Sequence, residues 1–146
     1  MAATAGDLAR STGIEISQFA VAASTSITTG QLVALDANGR AVLATNSVGT
    51  VARGIFVAVE TVDNSSGSAG NKSIRLAVGN TYVYATSGGA IKVGEAVKAD
   101  SASKCVVATG IFAAETHIGR YMGHENEEGV KTDAATSDII IVRLGI

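Results

Sequence analysis

The chain has 146 residues and a formal net charge of −2, which suits one ordinary domain with a proper core. Its 11 basic residues are scattered singly, which excludes the electropositive track of a nucleic-acid or anionic-membrane binder. The lone Cys105 excludes an internal disulfide and any paired-cysteine metal or redox motif, and the absence of Trp leaves a core of small aliphatic side chains between closely approaching strands.

Apolar alternation broken by 17 Gly and by frequent Ser, Thr, Asn and Asp predicts an all-β chain of many short strands, with no sustained 3.6-residue period anywhere. The N-terminus lacks the basic-then-apolar order of a signal peptide, and no apolar run approaches the ~18 residues of a membrane span. The expected place of synthesis is a cytoplasm, or something assembled there.

Residues 1–22 are rich in Ala, Ser and Thr and carry few larger apolar side chains, among them Ile14, Ile16, Phe19 and Val21. They are read as an extended N-terminal arm with one strand-like patch, able to lie on a partner and complete the edge of its sheet. The body is expected to be a single β-domain over 23–146.

From Ile27, where the repeat unit begins, Gly30 turns the chain, Gln31 to Leu35 reads as a strand, Asp36-Ala37-Asn38-Gly39 as a turn whose Asn-Gly tolerates left-handed backbone, and Arg40 to Ala44 as the return strand. Arg53 to Glu60 reads as a central strand apolar on both faces. Asp63 to Asn71 reads as a flexible tip, and Lys72 to Val78 returns with Ile74, Leu76 and Val78 inward. Thr81 to Ala85 sets Tyr82 and Tyr84 on one face, and Ser87-Gly88-Gly89 turns onward.

Ile27 to Thr45 is then written again as Ile91 to Thr109, with identities at Ile27/Ile91, Gly30/Gly94, Val33/Val97, Asp36/Asp100, Val42/Val106, Ala44/Ala108 and Thr45/Thr109. Composition alone gives about one or two matches over such a stretch. Ile74 to Val78 further aligns with Val142 to Ile146, setting Arg75 against Arg143. The reading is one structural unit used twice, over 27–79 and 91–146. Beyond Thr109, Gly110 to Ala113 and His117 to Gly123 are short strand candidates, Gly129 to Ser137 a polar excursion, and Asp138 to Ile146 the closing strand.

Little here points to catalysis. His117 and His124, with Glu115, Glu125, Glu127 and Glu128 around them, match no established zinc spacing, and solvated strand and loop positions explain them as well. Cys105 replaces Ala41 of the first copy and reads as a small apolar space-filler rather than a nucleophile. Gly88-Gly89 and Gly67 to Gly70 are turns, because neither leads into a helix with Lys-Ser or Lys-Thr. The expectation is no enzyme, no cofactor and no metal. A cytoplasmic ligand-binding or carrier-like β-domain is the alternative, although the tips Ala37-Asn38-Gly39 and Ser101-Ala102-Ser103 lack the lysine that carrier domains modify.

The motifs Gly30-Gln31-Leu32-Val33-Ala34-Leu35-Asp36 and Gly94-Glu95-Ala96-Val97-Lys98-Ala99-Asp100, with Gly-Ile-Phe at 54–56 and 110–112, resemble small head-decoration or cement proteins of tailed bacteriophages. The resemblance covers about 27–146. It implies a compact β-barrel or β-tulip body on the outer capsid surface of a virion, commonly trimeric, with the major capsid protein as partner. It further implies that the arm, through Ile14, Ile16, Phe19 and Val21, anchors the body and helps it stabilise the shell by bridging capsid subunits.

Overall fold

The computed structural model describes residues 5, 15–45, 56–79, 81–108, 117–125 and 131–144. Among these, all regular structure is strand: β1 (Ile16–Ala20), β2 (Thr25–Ile27), β3 (Leu32–Leu35), β4 (Ala41–Leu43), β5 (Phe56–Ala58), β6 (Val62–Asn64) and β7 (Ser73–Ala77), then β8 (Tyr82–Thr86), β9 (Ala96–Ala99), β10 (Cys105–Val107), β11 (His117–Tyr121), β12 (His124–Glu125), β13 (Lys131–Thr132) and β14 (Ile139–Leu144). Two five-stranded antiparallel sheets carry the fold, in the orders β1-β7-β5-β3-β4 and β8-β14-β11-β9-β10. Two-stranded ribbons, β2 with β6 and β12 with β13, complete it. The expected strand candidate at Gly110 to Ala113 lies outside the described residues.

The two strand orders are the same, so the duplication read from Ile27 and Ile91 is a duplication of architecture. Hydrogen bonds repeat with it. Gly30 N–H donates to Ala58 O at 2.8 Å, and Gly94 N–H to Tyr121 O at 2.8 Å. The Thr28 N–H donates to the Gln31 Oε1 at 2.8 Å, as Lys92 N–H does to Glu95 Oε2 at 2.9 Å, which explains why Gln31 and Glu95 are interchangeable there. Asp36 N–H to Arg40 O at 2.9 Å matches Asp100 N–H to Lys104 O at 3.0 Å across the two hairpins.

The repeat is longer than the sequence indicates, and this corrects the arm. Residues 15–22 are not an appendage: β1 pairs with β7 from Ile16 opposite Ala77 to Ala20 opposite Ser73, just as β8 pairs with β14. Val78 N–H donates to Glu15 O at 2.9 Å, and Leu144 N–H to Thr81 O at 2.9 Å. Val21 bridges Ala41, and Ser87 bridges Cys105. The units therefore run over 15–79 and 81–144, and β1 is the first strand of the first. No residue of Glu15 to Ala22 matches its counterpart in Thr81 to Gly88, because an edge strand is specified by backbone pairing and face polarity rather than by particular side chains.

One alignment holds and another shifts. Val33 corresponds to Val97 as expected, and Val33 lies opposite Phe56 while Val97 lies opposite Gly119, so β11 occupies the place of β5; the Gly-Ile-Phe at 110–112 lies outside the described residues. Arg75 corresponds to Ile141 rather than to Arg143. Arg75 O accepts from Val59 N–H, next after Ala58, and Ile141 O from Met122 N–H, next after Tyr121. A slip of two residues preserves the inward face of a strand, so apolar pattern alone does not distinguish the registers.

The segment expected to be a flexible tip at Asp63 to Asn71 is tied down. Asn64 is buried and donates through Nδ2 to Ala22 O at 3.0 Å and Ser68 O at 3.1 Å, while Gly70 N–H donates to Val21 O at 2.9 Å.

Each large sheet curls until its two edge strands meet at the Val21–Ala41 or Ser87–Cys105 bridge, a pinch at one end rather than a continuous barrel ladder. Val21, Ile27, Val33, Ala41, Ala58, Ile74 and Leu76 fill the first curl. The outward face of that sheet, through Leu32, Ala34, Ala44, Val57 and Ala77, joins one continuous core with the second half. Leu32 N–H donates to Ala102 O at 2.6 Å, so the β9–β10 hairpin tip seals the junction between halves.

Deleting residues 1–22 is expected to abolish cooperative unfolding, since it removes an entire strand and uncovers Ile74 and Leu76. Val21→Ala alone is expected to cost about 2 kcal/mol. Thermal and urea denaturation check both: a truncated chain melting like the full one refutes the placement of β1.

Candidate interaction surface

The four side chains expected to meet a partner separate once β1 is in place. Ile16, on the outward face, is 41% exposed. Phe19 turns inward and stacks on Phe56, with ring centroids 5.6 Å apart and planes 15° from parallel, a geometry favoured by the ring quadrupoles. Val21 is wholly buried in the chain's own core, which corrects its assignment as a partner contact. Ile14 lies outside the described residues. The alternation of β1 dictates this split, because Phe19 and Val21 share the inner face of a closed sheet and Ile16 faces the other way.

Ala5 lies against the body at Gly30. Gly30 is buried with φ +89°, and a Cβ there would stand 2.6 Å from the carbonyl carbon of Ala5. Its counterpart Gly94, at φ +92°, has nothing within 4 Å of the same position. Both glycines are needed for left-handed backbone, but only Gly30 also provides a seat for another part of the chain. Gly94→Ala is expected to cost about 1–2 kcal/mol through backbone strain alone, and Gly30→Ala distinctly more. Equal midpoints for the two variants in urea would contradict the seat.

Of the residues weighed for chemistry, Cys105, His117 and His124 lie on different strands, and Glu115, Glu127 and Glu128 lie outside the described residues. Cys105 sits on β10, fully buried, its Sγ donating to Thr86 O at 3.5 Å. Burial pushes its thiol up to about 12 from the ordinary 9.0, the opposite of what a nucleophile needs. The folded chain thus holds this proton more tightly than the unfolded chain, so stability declines as pH rises from about 9 toward 12, by at most about 1.4 kcal/mol per pH unit. Cys105→Ala is expected to flatten that alkaline slope while leaving neutral-pH stability nearly unchanged, as denaturant midpoints across pH will show. His117 lies on β11 opposite Lys98, and His124 on β12 opposite Thr132, in different sheets. No group of three metal-ligating side chains occurs among the described residues.

Pairing across the second sheet brings together side chains that the sequence leaves scattered. Ala96, Arg120, Arg143 and Tyr82 form one row across β9, β11, β14 and β8, with Arg120 directly opposite Arg143 and Arg143 opposite Tyr82. Lys98 and Tyr84 stand on the same outward face. Gly119 makes the row possible, because a Cβ there would meet the Arg143 carbonyl carbon at 2.8 Å as β11 crosses β14. The alternations Tyr82-Val83-Tyr84 and Ile141-Val142-Arg143 show which side chains share a face, but not that β8, β14, β11 and β9 lie side by side.

No family model matches this chain, and no curated protein matches it in sequence. Among solved structures it is similar to the head fiber gp8.5 N base of bacteriophage phi29, with a TM-score of 0.56 and 14% identity over 90% of this chain and 95% of that one. At so low an identity the likeness is one of fold: the all-β architecture described above is shared along nearly the whole of both chains.

Proposed function

We propose that this chain is a structural protein of a bacteriophage virion, held on the outer surface of the head by the major capsid protein. The observation that carries the reading is the likeness over nearly the full length of both chains to the base of a phage head fiber. The resemblance of the Gly30 to Asp36 and Gly94 to Asp100 motifs to phage head-decoration proteins points to the same class by a separate route. The physical character of the chain supports it. Its cysteine is buried and held protonated, and its strands build a doubled, mutually braced body. Such a body suits a passive load-bearing part.

In this role the protein bridges capsid subunits and assembles as a trimer, so that each contact, modest alone, is multiplied over a symmetric shell. With β1 built into the body, anchoring falls to the outward-facing surface, Ile16 included, rather than to a free arm spanning residues 1–22.

The test is whether purified virions from the source contain the chain at stoichiometric copy number and whether particles lacking it lose heat resistance. Light scattering of the isolated protein gives its oligomeric state. Virions without the chain would overturn the proposal, and particles equally heat-resistant with and without it would remove the stabilising role.

A further inference from the structure

The two halves share a fold but not the fate of one face. In the first sheet the outward positions Leu32, Ala34, Val57 and Ala77 are buried where the second half packs upon them. Their counterparts in the second sheet, by strand pairing, are Ala96, Lys98, Arg120 and Arg143. Three of four buried apolar positions have become cations, on a face that is exposed at Arg120 and half-buried at Ala96, Lys98 and Arg143.

A polar cap that merely stops the sheet from stacking on another copy requires polarity, not charge of one sign. This face is built otherwise. Arg120 and Arg143 are direct cross-strand partners, whose Cβ atoms stand roughly 4.5–5.5 Å apart in such pairs, so their like charges repel. Arg143 Nε is buried and has no hydrogen-bond partner among the described residues, while Arg120 Nη1 reaches only the Gly94 carbonyl, at 3.1 Å. Among the carboxylates of the second half, Glu95 accepts from the Lys92 N–H and Asp133 from the Val93 N–H. Arg75, on the first sheet, has Glu60 as an ion-pair partner at 3.2 Å.

We propose that this face of the second sheet, centred on Arg120 and Arg143 and flanked by Lys98, Tyr82 and Tyr84, docks an acidic segment of a neighbouring virion protein. The identity of that neighbour rests on the virion reading above; the chemistry of the face does not. A carboxylate set between the two guanidinium groups relieves their repulsion and accepts charge-assisted hydrogen bonds from planar donors suited to it. The tyrosines add rigid apolar area beside the cations. A nucleic acid is the poorer fit, since three cations on a chain of net charge −2 fall short of the many phosphate contacts such binding rests on.

The full-length chain is titrated with a labelled peptide of alternating Glu and Ser, with the Gln and Ser counterpart and a short DNA duplex as controls. The expected result is salt-sensitive binding of the acidic peptide alone, weakened roughly tenfold or more by Arg120→Ala with Arg143→Ala. Arg120→Gln, at an exposed position, gives a smaller loss and serves if the double variant does not fold. Equal affinity for both peptides, preference for DNA, or unchanged affinity in folded variants overturns the proposal. On particles, Arg120→Glu with Arg143→Glu is expected to reduce occupancy. Full occupancy by that variant refutes the docking face while leaving the virion reading intact, whereas absence of the wild-type chain from virions refutes that reading and the partner named with it.

Discussion

A small sheet is stable only if its inner face is covered and its edges are managed, and here one bridge in each half accomplishes both. Where Val21 meets Ala41 and Ser87 meets Cys105, the first and last strands of a five-stranded sheet are drawn together and the sheet wraps around its own side chains. Edge groups that would template aggregation are partly consumed, and Ile74, Leu76, Ile140 and Val142 find partners within their own half. The bridge requires small residues, since Ala41 and Cys105 sit where two backbones converge. Composition follows from that constraint: a chain without Trp packs closely because its curled sheets leave room for little else.

Self-closure leaves each sheet with an outward face, and the halves solve this differently. The first covers its face with the second half, turning two small curls into one body with a core continuous from Leu32 and Val57 to Val97 and Tyr121. Tyr121, the largest wholly buried side chain, stands where the first half has Ala58. The added bulk belongs to the half whose interior receives a second layer. The outward face of the second half, exposed at Arg120 and half-buried at Lys98 and Arg143, carries charge instead. Duplication thus generated a pair of equivalent faces, one buried in folding and the other carrying cations.

The same closure decides the setting of the chain's cysteine. Catalytic groups need a cleft in which desolvation and neighbouring charge tune their protonation. Cys105, whose thiol is pushed well above its ordinary range by burial, owes this to its place at a sheet-closing bridge. Cationic and aromatic groups collect on one face of the second sheet.

The sequence by itself determined the all-β class, the turns at Asp36 to Gly39 and Asp100 to Ser103, and the correspondence of Val33 with Val97, because alternation and turn chemistry are local and the hairpins of the two copies retained their residues. It also disclosed a duplication, though not its extent. The identity of β1 as the first strand of the first repeat was beyond it, since Glu15 to Ala22 shares nothing with Thr81 to Gly88 and backbone pairing leaves no mark on side-chain type. Register against the last strand was likewise undecided, because a slip of two residues keeps every inward side chain inward. Only the tertiary structure placed Arg120 opposite Arg143, since their pairing depends on the non-sequential order β8-β14-β11-β9 and on which of two equivalent faces the chain itself covered.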